Sequence, residues 1–395
     1  MKILEISENF TPISGGIRSF INLTYELKKK HDVYIFTCNQ KNKDSGIDNV
    51  IYYNNEIMQV PKLNKYPYVF NWVRQYFLLE KVKPLLKKKI YLIKPDIIIA
   101  QAHFAIPAVE IANELNIPVL LFIRCPLPLC PIRFEDKNPF DCKGECWKCL
   151  NTINSGQLSS FHHKIQYPFI IKLFKWHKFA NENADLIFAN SDYMKRMLDY
   201  FGIQSKIVYP FINLSKYQLL SDRNNPKYIL FIKPEYHKGV NIFLRIAKIM
   251  KNEKFLVIGK APPSIIKRLN KLQNITYISW IKNINEIYLK TKLIIMPSIW
   301  PEAFGRVPIE AGINGVPTIA SNRGGLPESV GNGGVLINDI YNIDNWINEI
   351  KNITENNEVY SRFSLNAKKH AEKFDIKNTY GKFKKILRDE LKIEL

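Results

Sequence analysis

No stretch of the 395 residues approaches the roughly 20 consecutive apolar side chains that a membrane-spanning helix needs. The amino terminus, MKILEISENF, enters a strand-like pattern without the zones of a secretory leader, so the expected location is the cytoplasm. No Gly-x-Gly-x-x-Gly follows that first strand, which argues against a nicotinamide-dependent dehydrogenase. No Asp-x-Asp occurs anywhere, so nothing implies a catalytic Mg²⁺ or Mn²⁺. Acidic residues are scarce: 36 Asp and Glu against 57 Lys and Arg leave a net charge of +21. A surplus of that size favours an anionic partner such as a nucleotide, a nucleic acid or lipid headgroups, or it reflects a Lys- and Asn-rich coding bias. Disorder is excluded by 46% hydrophobic and 24% charged residues, and the length gives room for two domains with their own cores.

Of six cysteines, five fall between Cys125 and Cys149. Four have the spacing Cys130-x11-Cys142-x3-Cys146-x2-Cys149. In a reducing compartment disulfides are disfavoured, and this cluster suits a tetrahedral four-thiolate structural zinc closing an irregular loop. An iron–sulfur cluster is the lesser alternative, and free thiols in a loop are the plain one.

The chain opens as a βαβ unit: a strand over residues 1–7, a loop with Gly15-Gly16, a helix from about Arg18 to Lys30, and a strand over 32–38. A glycine pair between strand and helix can approach a phosphate or sugar hydroxyl closely. Pro95 to Ala100 and Pro118 to Ile123 are short continuous apolar runs, as in parallel strands covered on both faces. His103 and Arg124 stand at their ends. A third such run, Ala184 to Ser191, ends on a residue placed to cap a helix over about 192–201. Two stretches, residues 61–94 and 161–179, alternate aromatic and basic residues. They read as amphipathic helices packed on their own sheet, or as faces for an anionic membrane surface. Periodicity lapses over 213–226, the expected linker, after which βα units restart at Tyr228.

The densest signal is residues 298–337, SIWPEAFGRVPIEAGINGVPTIASNRGGLPESVGNGGVLI. An apolar strand over 292–297 runs into a loop holding Glu302, and a helix opening near 305–307 holds Glu310. The backbone N–H groups of Phe304, Gly305 and Arg306 at that helix start would suit phosphate. A second loop over 322–328 contains Gly324-Gly325. Earlier in this half, Lys233 ends a strand and Lys238-Gly239 precedes a helix, giving two cations near one strand edge.

The order Glu302, Phe304-Gly305, Pro308-x-Glu310-Ala311, Gly315-x-Pro317, Gly324-Gly325, Pro327-Glu328 resembles the retaining glycosyltransferases of the GT-B fold, glycosyltransferase family 4. The resemblance implies an α/β protein of two facing, Rossmann-like doubly wound domains. Residues 1–213 would form the acceptor-side domain, with the Cys-rich insertion at 125–150. Residues 214–372 would bind the nucleotide sugar, and a helix over 373–395 would cross back to the first domain. It also implies transfer of a sugar from a UDP- or GDP-sugar to a glycan or lipid-linked acceptor, with no nucleic acid as partner. Glu302 would lie by the transferred sugar, Glu310 by the ribose, and Lys238 and Lys233 by the diphosphate. The amides of Phe304, Gly305 and Arg306 would stand near sugar and diphosphate, Gly15 and Gly16 would form the first glycine loop, and His103 and Arg124 would line the acceptor side. Relatives have Arg where this chain has Lys233, which keeps the charge and loses the bidentate fork. They have Asp where it has Cys125, which bears on the acceptor. A nucleotide-sugar epimerase on the same fold and a basic zinc-containing nucleic-acid binder are the competing readings.

Overall fold

A computed structural model describes residues 1–10, 14–38, 50–52, 71–130, 139–142, 160–218 and 225–395. The chain divides into two compact units, Met1–Tyr209 with Tyr380–Leu395, and Pro210–Thr379.

The first unit runs β1 (Lys2–Ile6), α1 (Gly15–Leu27), β2 (Asp32–Thr37), β3 (Val50–Tyr52), α2 (Asn71–Ile93), β4 (Ile97–Gln101), α3 (Ala105–Leu115), β5 (Val119–Ile123), α4 (Ser160–Asn183), β6 (Leu186–Ala189), α5 (Asp192–Tyr200) and β7 (Lys206–Ile207). Its sheet is parallel, in the order β3-β2-β1-β4-β5-β6-β7. Strands β4, β5 and β6 are buried along their whole length, which is why their sequences read as unbroken apolar runs. Ser191 caps α5, its hydroxyl accepting from the Met194 N–H at 2.9 Å.

The second unit runs β8 (Tyr228–Ile232), α6 (Val240–Ile249), β9 (Lys254–Ile258), α7 (Pro263–Leu269), β10 (Ile275–Ile278), α8 (Asn285–Tyr288), β11 (Thr291–Met296), α9 (Val307–Gly312), β12 (Thr318–Ser321), α10 (Leu326–Val330), β13 (Gly334–Ile337), α11 (Ile343–Glu355) and α12 (Asn357–Glu372). The sheet order is β10-β9-β8-β11-β12-β13, again parallel. Its core joins Phe231, Phe243 and Phe255 to the buried Trp346 of α11. The last helix, α13 (Ile376–Leu391), returns to the first unit, where Phe383 packs on Phe188 at 5.2 Å and Phe122 at 5.8 Å.

Both sheets reverse their strand order at one place, between β1 and β4 and between β8 and β11. At such a point the flanking loops leave in opposite directions and open a crevice beyond the carboxyl strand ends, where doubly wound sheets hold ligands.

Candidate functional site

In the second unit the reversal point brings together the residues just past β8 and β11. Lys233 follows β8 directly, and its main-chain N–H donates to Ile258 O at 2.7 Å. Its φ is +62°, a left-handed conformation that non-glycine residues seldom adopt, and the side chain is exposed. Gly259 passes beside it, where a Cβ would stand 3.1 Å from Lys233 Cα. Five residues on, a short turn presents Lys238, and Gly239 at φ +80° lets the chain cross the β11 loop. A Cβ at Gly239 would lie 1.8 Å from Pro297 O, so only glycine fits there.

Lys238 Nζ pairs with Glu302 Oε1, and Ser298 Oγ donates to the same oxygen at 2.9 Å. Glu302 is only 7% exposed. Burial alone would raise its carboxyl, but the charge of Lys238 and hydrogen bonds from Lys238 and Ser298 outweigh it and hold the group below its ordinary value. Lys238 also lies over the Trp300 ring, 5.4 Å from its centroid. A buried, ionised carboxylate and its counter-ion therefore stand ready at a sheet edge.

The Gly324-Gly325 loop sets the main chain of Glu302. Residues 302 and 324 form a parallel bridge, and Gly325 N–H donates to Glu302 O at 2.7 Å. A Cβ at Gly324 would lie 2.2 Å from Glu302 O, and one at Gly325 would lie 2.6 Å from Ala303 O. Only Gly324 has positive φ, at +63°; Gly325, at −88°, is needed for space alone.

Glu310 lies in the first turn of α9, buried, with Oε1 at 2.9 Å from Arg306 Nη2. The Arg306 guanidinium reaches Tyr217 OH at 3.4 Å as well. The sequence placed the Arg306 amide at the site; the side chain turns out to neutralise Glu310. Phe304 is a core residue, its ring 5.3 Å from that of Phe374. Gly305, at φ +88°, passes tightly over Leu326.

In the first unit the reversal point holds Glu8 after β1 and His103 after β4. Gln101 Nε2 donates to Ser7 Oγ at 2.9 Å, stitching the two strand ends together. His103 is buried, its main-chain N–H donating to Glu8 Oε1 at 3.0 Å and its Nδ1 lying 2.8 Å from His177 Nε2. Arg124 follows β5 and is held from several sides. It donates to Gln101 Oε1 at 2.5 Å and Gly16 O at 3.1 Å, and it stacks on Phe122 at 4.5 Å. Gly15 and Gly16 lie in the first turn of α1 behind the Ser14 cap, not in a turn ahead of it. Sequence reasoning missed Ser298, Trp300, Gln101, Glu8 and His177. The first two follow a strand end directly, a signal that was available. His177 sits inside an aromatic-basic helix with nothing local to mark it.

Of the four proposed zinc thiolates, Cys130 is buried and Cys142 half-buried, while Cys146 and Cys149 lie outside the described residues. No group of three His, Cys, Asp or Glu among the described residues could hold a metal ion. No described helix is long and apolar enough to cross a membrane. On α2 and α4 part of the aromatic face is consumed in packing, with Tyr76 stacked on Trp176 at 5.0 Å, while Phe77, Tyr91, Leu92 and Phe179 are exposed.

Two doubly wound parallel units, the last helix returning to the first, define the GT-B architecture. The chain belongs to Glycosyltransferase Family 4, whose model matches residues 13–216, and residues 218–370 match Glycosyl transferases group 1. An Anabaena structure, Alr3699/HepE in complex with UDP and glucose, superposes with TM-score 0.70 and 17% identity, covering 98% of this chain and 99% of that one. A Listeria monocytogenes structure named as a UDP-N-acetylglucosamine 2-epimerase superposes with TM-score 0.62 and 13% identity, covering 99% and 96%. At such identities the likeness is one of fold. An uncharacterized 41.2 kDa protein of the cps region of Klebsiella pneumoniae is 28% identical over 181 residues, 40% of this chain. The chain thus spans half the length of that curated relative.

Proposed function

We propose that the protein transfers a sugar from a nucleotide sugar to an acceptor hydroxyl with retained anomeric configuration, in the synthesis of a cell-surface polysaccharide or glycolipid. The observation behind this reading is the Lys238–Glu302 pair at the β8/β11 reversal point, with Glu302 buried and supported by Ser298. Cleavage of the donor leaves negative charge on the diphosphate, and fixed cations in a water-poor site stabilise it. Lys238 and Lys233 supply that charge, together with the Phe304, Gly305 and Arg306 amides, so no catalytic divalent metal is required. Glu302 positions the transferred sugar, Glu310 binds the ribose, and a leaving-group oxygen takes the acceptor proton on the same face. His103 and Arg124 serve the acceptor. A UDP-sugar is the preferred donor, since the Anabaena protein of the same fold is described with UDP and glucose. The polysaccharide assignment leans on the cps-region relative.

Incubation with UDP- and GDP-sugars tests the reading: acceptor-dependent release of nucleotide diphosphate is expected. The epimerase reading draws on the Listeria structure, and donor isomerisation without acceptor would establish it. A lipid-linked acceptor would bring the protein to an anionic membrane surface, with exposed Phe77, Tyr91, Leu92 and Phe179 as the contact face. The thiolates of Cys130, Cys142, Cys146 and Cys149 are proposed to hold one structural zinc; metal analysis of the purified chain should find one equivalent, lost in Cys146→Ser.

A further inference from the structure

His177 is a buried titratable group that this mechanism leaves unused. It lies on α4 in a stripe with Ile170, Leu173 and Ala180, all buried, the positions i, i+3, i+7 and i+10 that face a helix into its core. An apolar side chain would complete that stripe. The imidazole placed there is only 2% exposed and meets a second imidazole, its Nε2 2.8 Å from Nδ1 of His103. Burial, with the neighbouring His103 adding to it, keeps His177 from protonating, so one proton is shared across the contact.

The surroundings hold His103 rigidly. Ala102, immediately before it, has φ +59°, a conformation a non-glycine residue keeps only where neighbours impose it. Glu8 Oε1 accepts the His103 N–H at 3.0 Å and Gln75 Nε2 at 3.1 Å. The Trp72 indole meets the His103 ring edge-on at 6.3 Å, and the Trp72 main-chain N–H donates to Gln166 Oε1 at 3.0 Å. Elements β1, α2 and α4 all contribute, at the reversal point of the first sheet.

We propose that His177 is a positioning residue for His103. By sharing one proton across the Nδ1–Nε2 contact it fixes the tautomer and rotation of the His103 ring, so that His103 meets the acceptor hydroxyl in a single hydrogen-bonding state. That single state is one of two arrangements. If His177 donates, His103 Nδ1 accepts and its Nε2 bears hydrogen; if His177 accepts, the His103 Nε2 is the acceptor. The inference rests on the transferase reading for its kinetic consequence but not for its structural one.

The test has two arms on the full-length chain. In the first, long-range ¹H–¹⁵N spectra of ¹⁵N-histidine protein, assigned with His103→Gln, report the tautomer of His103. One tautomer is expected in the wild type and a mixture in His177→Leu. In the second, UDP release from UDP-glucose is followed. His177→Leu should lower kcat roughly 10- to 100-fold, the loss expected when a reacting group is misplaced, with the KM for UDP-glucose unchanged. His177→Gln, whose amide reaches the place of Nε2, should return kcat to within about threefold of wild type, and it serves as the folded variant if the leucine protein melts early. Unchanged kcat in His177→Leu, equal impairment of both variants, or an unaltered His103 tautomer would overturn the proposal. Absence of turnover by the wild type with every nucleotide sugar would instead overturn the transferase reading, and the spectra would still decide the role of His177.

Discussion

Lys238 and Glu302 neutralise each other in a place where water is scarce, and removing one of them strands the other. Lys238→Ala leaves a buried carboxylate supported only by neutral donors, a loss of about 3 kcal/mol by the usual measure of broken buried pairs. Lys238→Ala with Glu302→Gln should recover most of that stability and none of the activity, which denaturant melts and a double-mutant cycle would measure. Glu302→Gln alone should keep the fold and lower kcat by about 100-fold or more. A second carboxyl, Glu5 in the middle of β1, is fully buried beside the Thr24 hydroxyl, and desolvation pushes it up to about 8 from its ordinary 4.5. The folded state therefore holds this proton more tightly than the unfolded chain does. Its contribution is complete below pH 4.5 and is lost as pH rises to about 8. Glu5→Gln should flatten the fall in melting temperature between about pH 4.5 and pH 8, and an unaltered slope would count against a protonated Glu5.

At the scale of elements, short loops after parallel strands set the candidate site, and their glycines are explained by close approach. Gly324 has both constraints at once, positive φ and a neighbouring carbonyl where its Cβ would go. Gly324→Ala must push on Glu302 itself, so activity should fall by more than the roughly 1–2 kcal/mol of stability typical of strained replacements. Steady-state kinetics beside thermal melting would separate the two; equal losses would show that the loop only serves the fold. The paired aromatic helices teach a different lesson. Tyr76 of α2 packs on Phe169 and Trp176 of α4, with Lys172 over the Tyr76 and Trp176 rings. Alternation of aromatic and basic residues cannot by itself distinguish that internal packing from a surface for lipid.

For the whole molecule, nucleotide binding to the folded chain alone should raise its stability by mass action. At a concentration about 100 times Kd, the gain is about 2.7 kcal/mol. For a unit of this size that is a shift of roughly 5–11 °C. UDP is expected to give this shift and GDP little or none, in a thermal-shift comparison that also indicates the donor class. The family assignment reaches across both units, since its two matches cover residues 13–216 and 218–370. The strand order of each unit supports it independently, because each sheet reverses once and gathers its polar residues at that reversal.

Much of this was legible in the chain itself. Apolar runs such as residues 97–100 and 119–123 announce strands covered on both faces, since the burial that makes them apolar is local to the strand. Glu302, Glu310, Lys238 and the glycine pair could be read because they share one short segment or stand beside a strand end. Tertiary structure decided what depends on residues far apart in sequence. It joined His103 to His177 and Arg124 to Gly16, and it set Lys238 on Glu302. It also turned Arg306 toward Glu310, a choice among rotamers that spacing leaves open. Periodicity reports which face of an element is buried; which polar group waits on the other side is fixed only when the strands are ordered side by side.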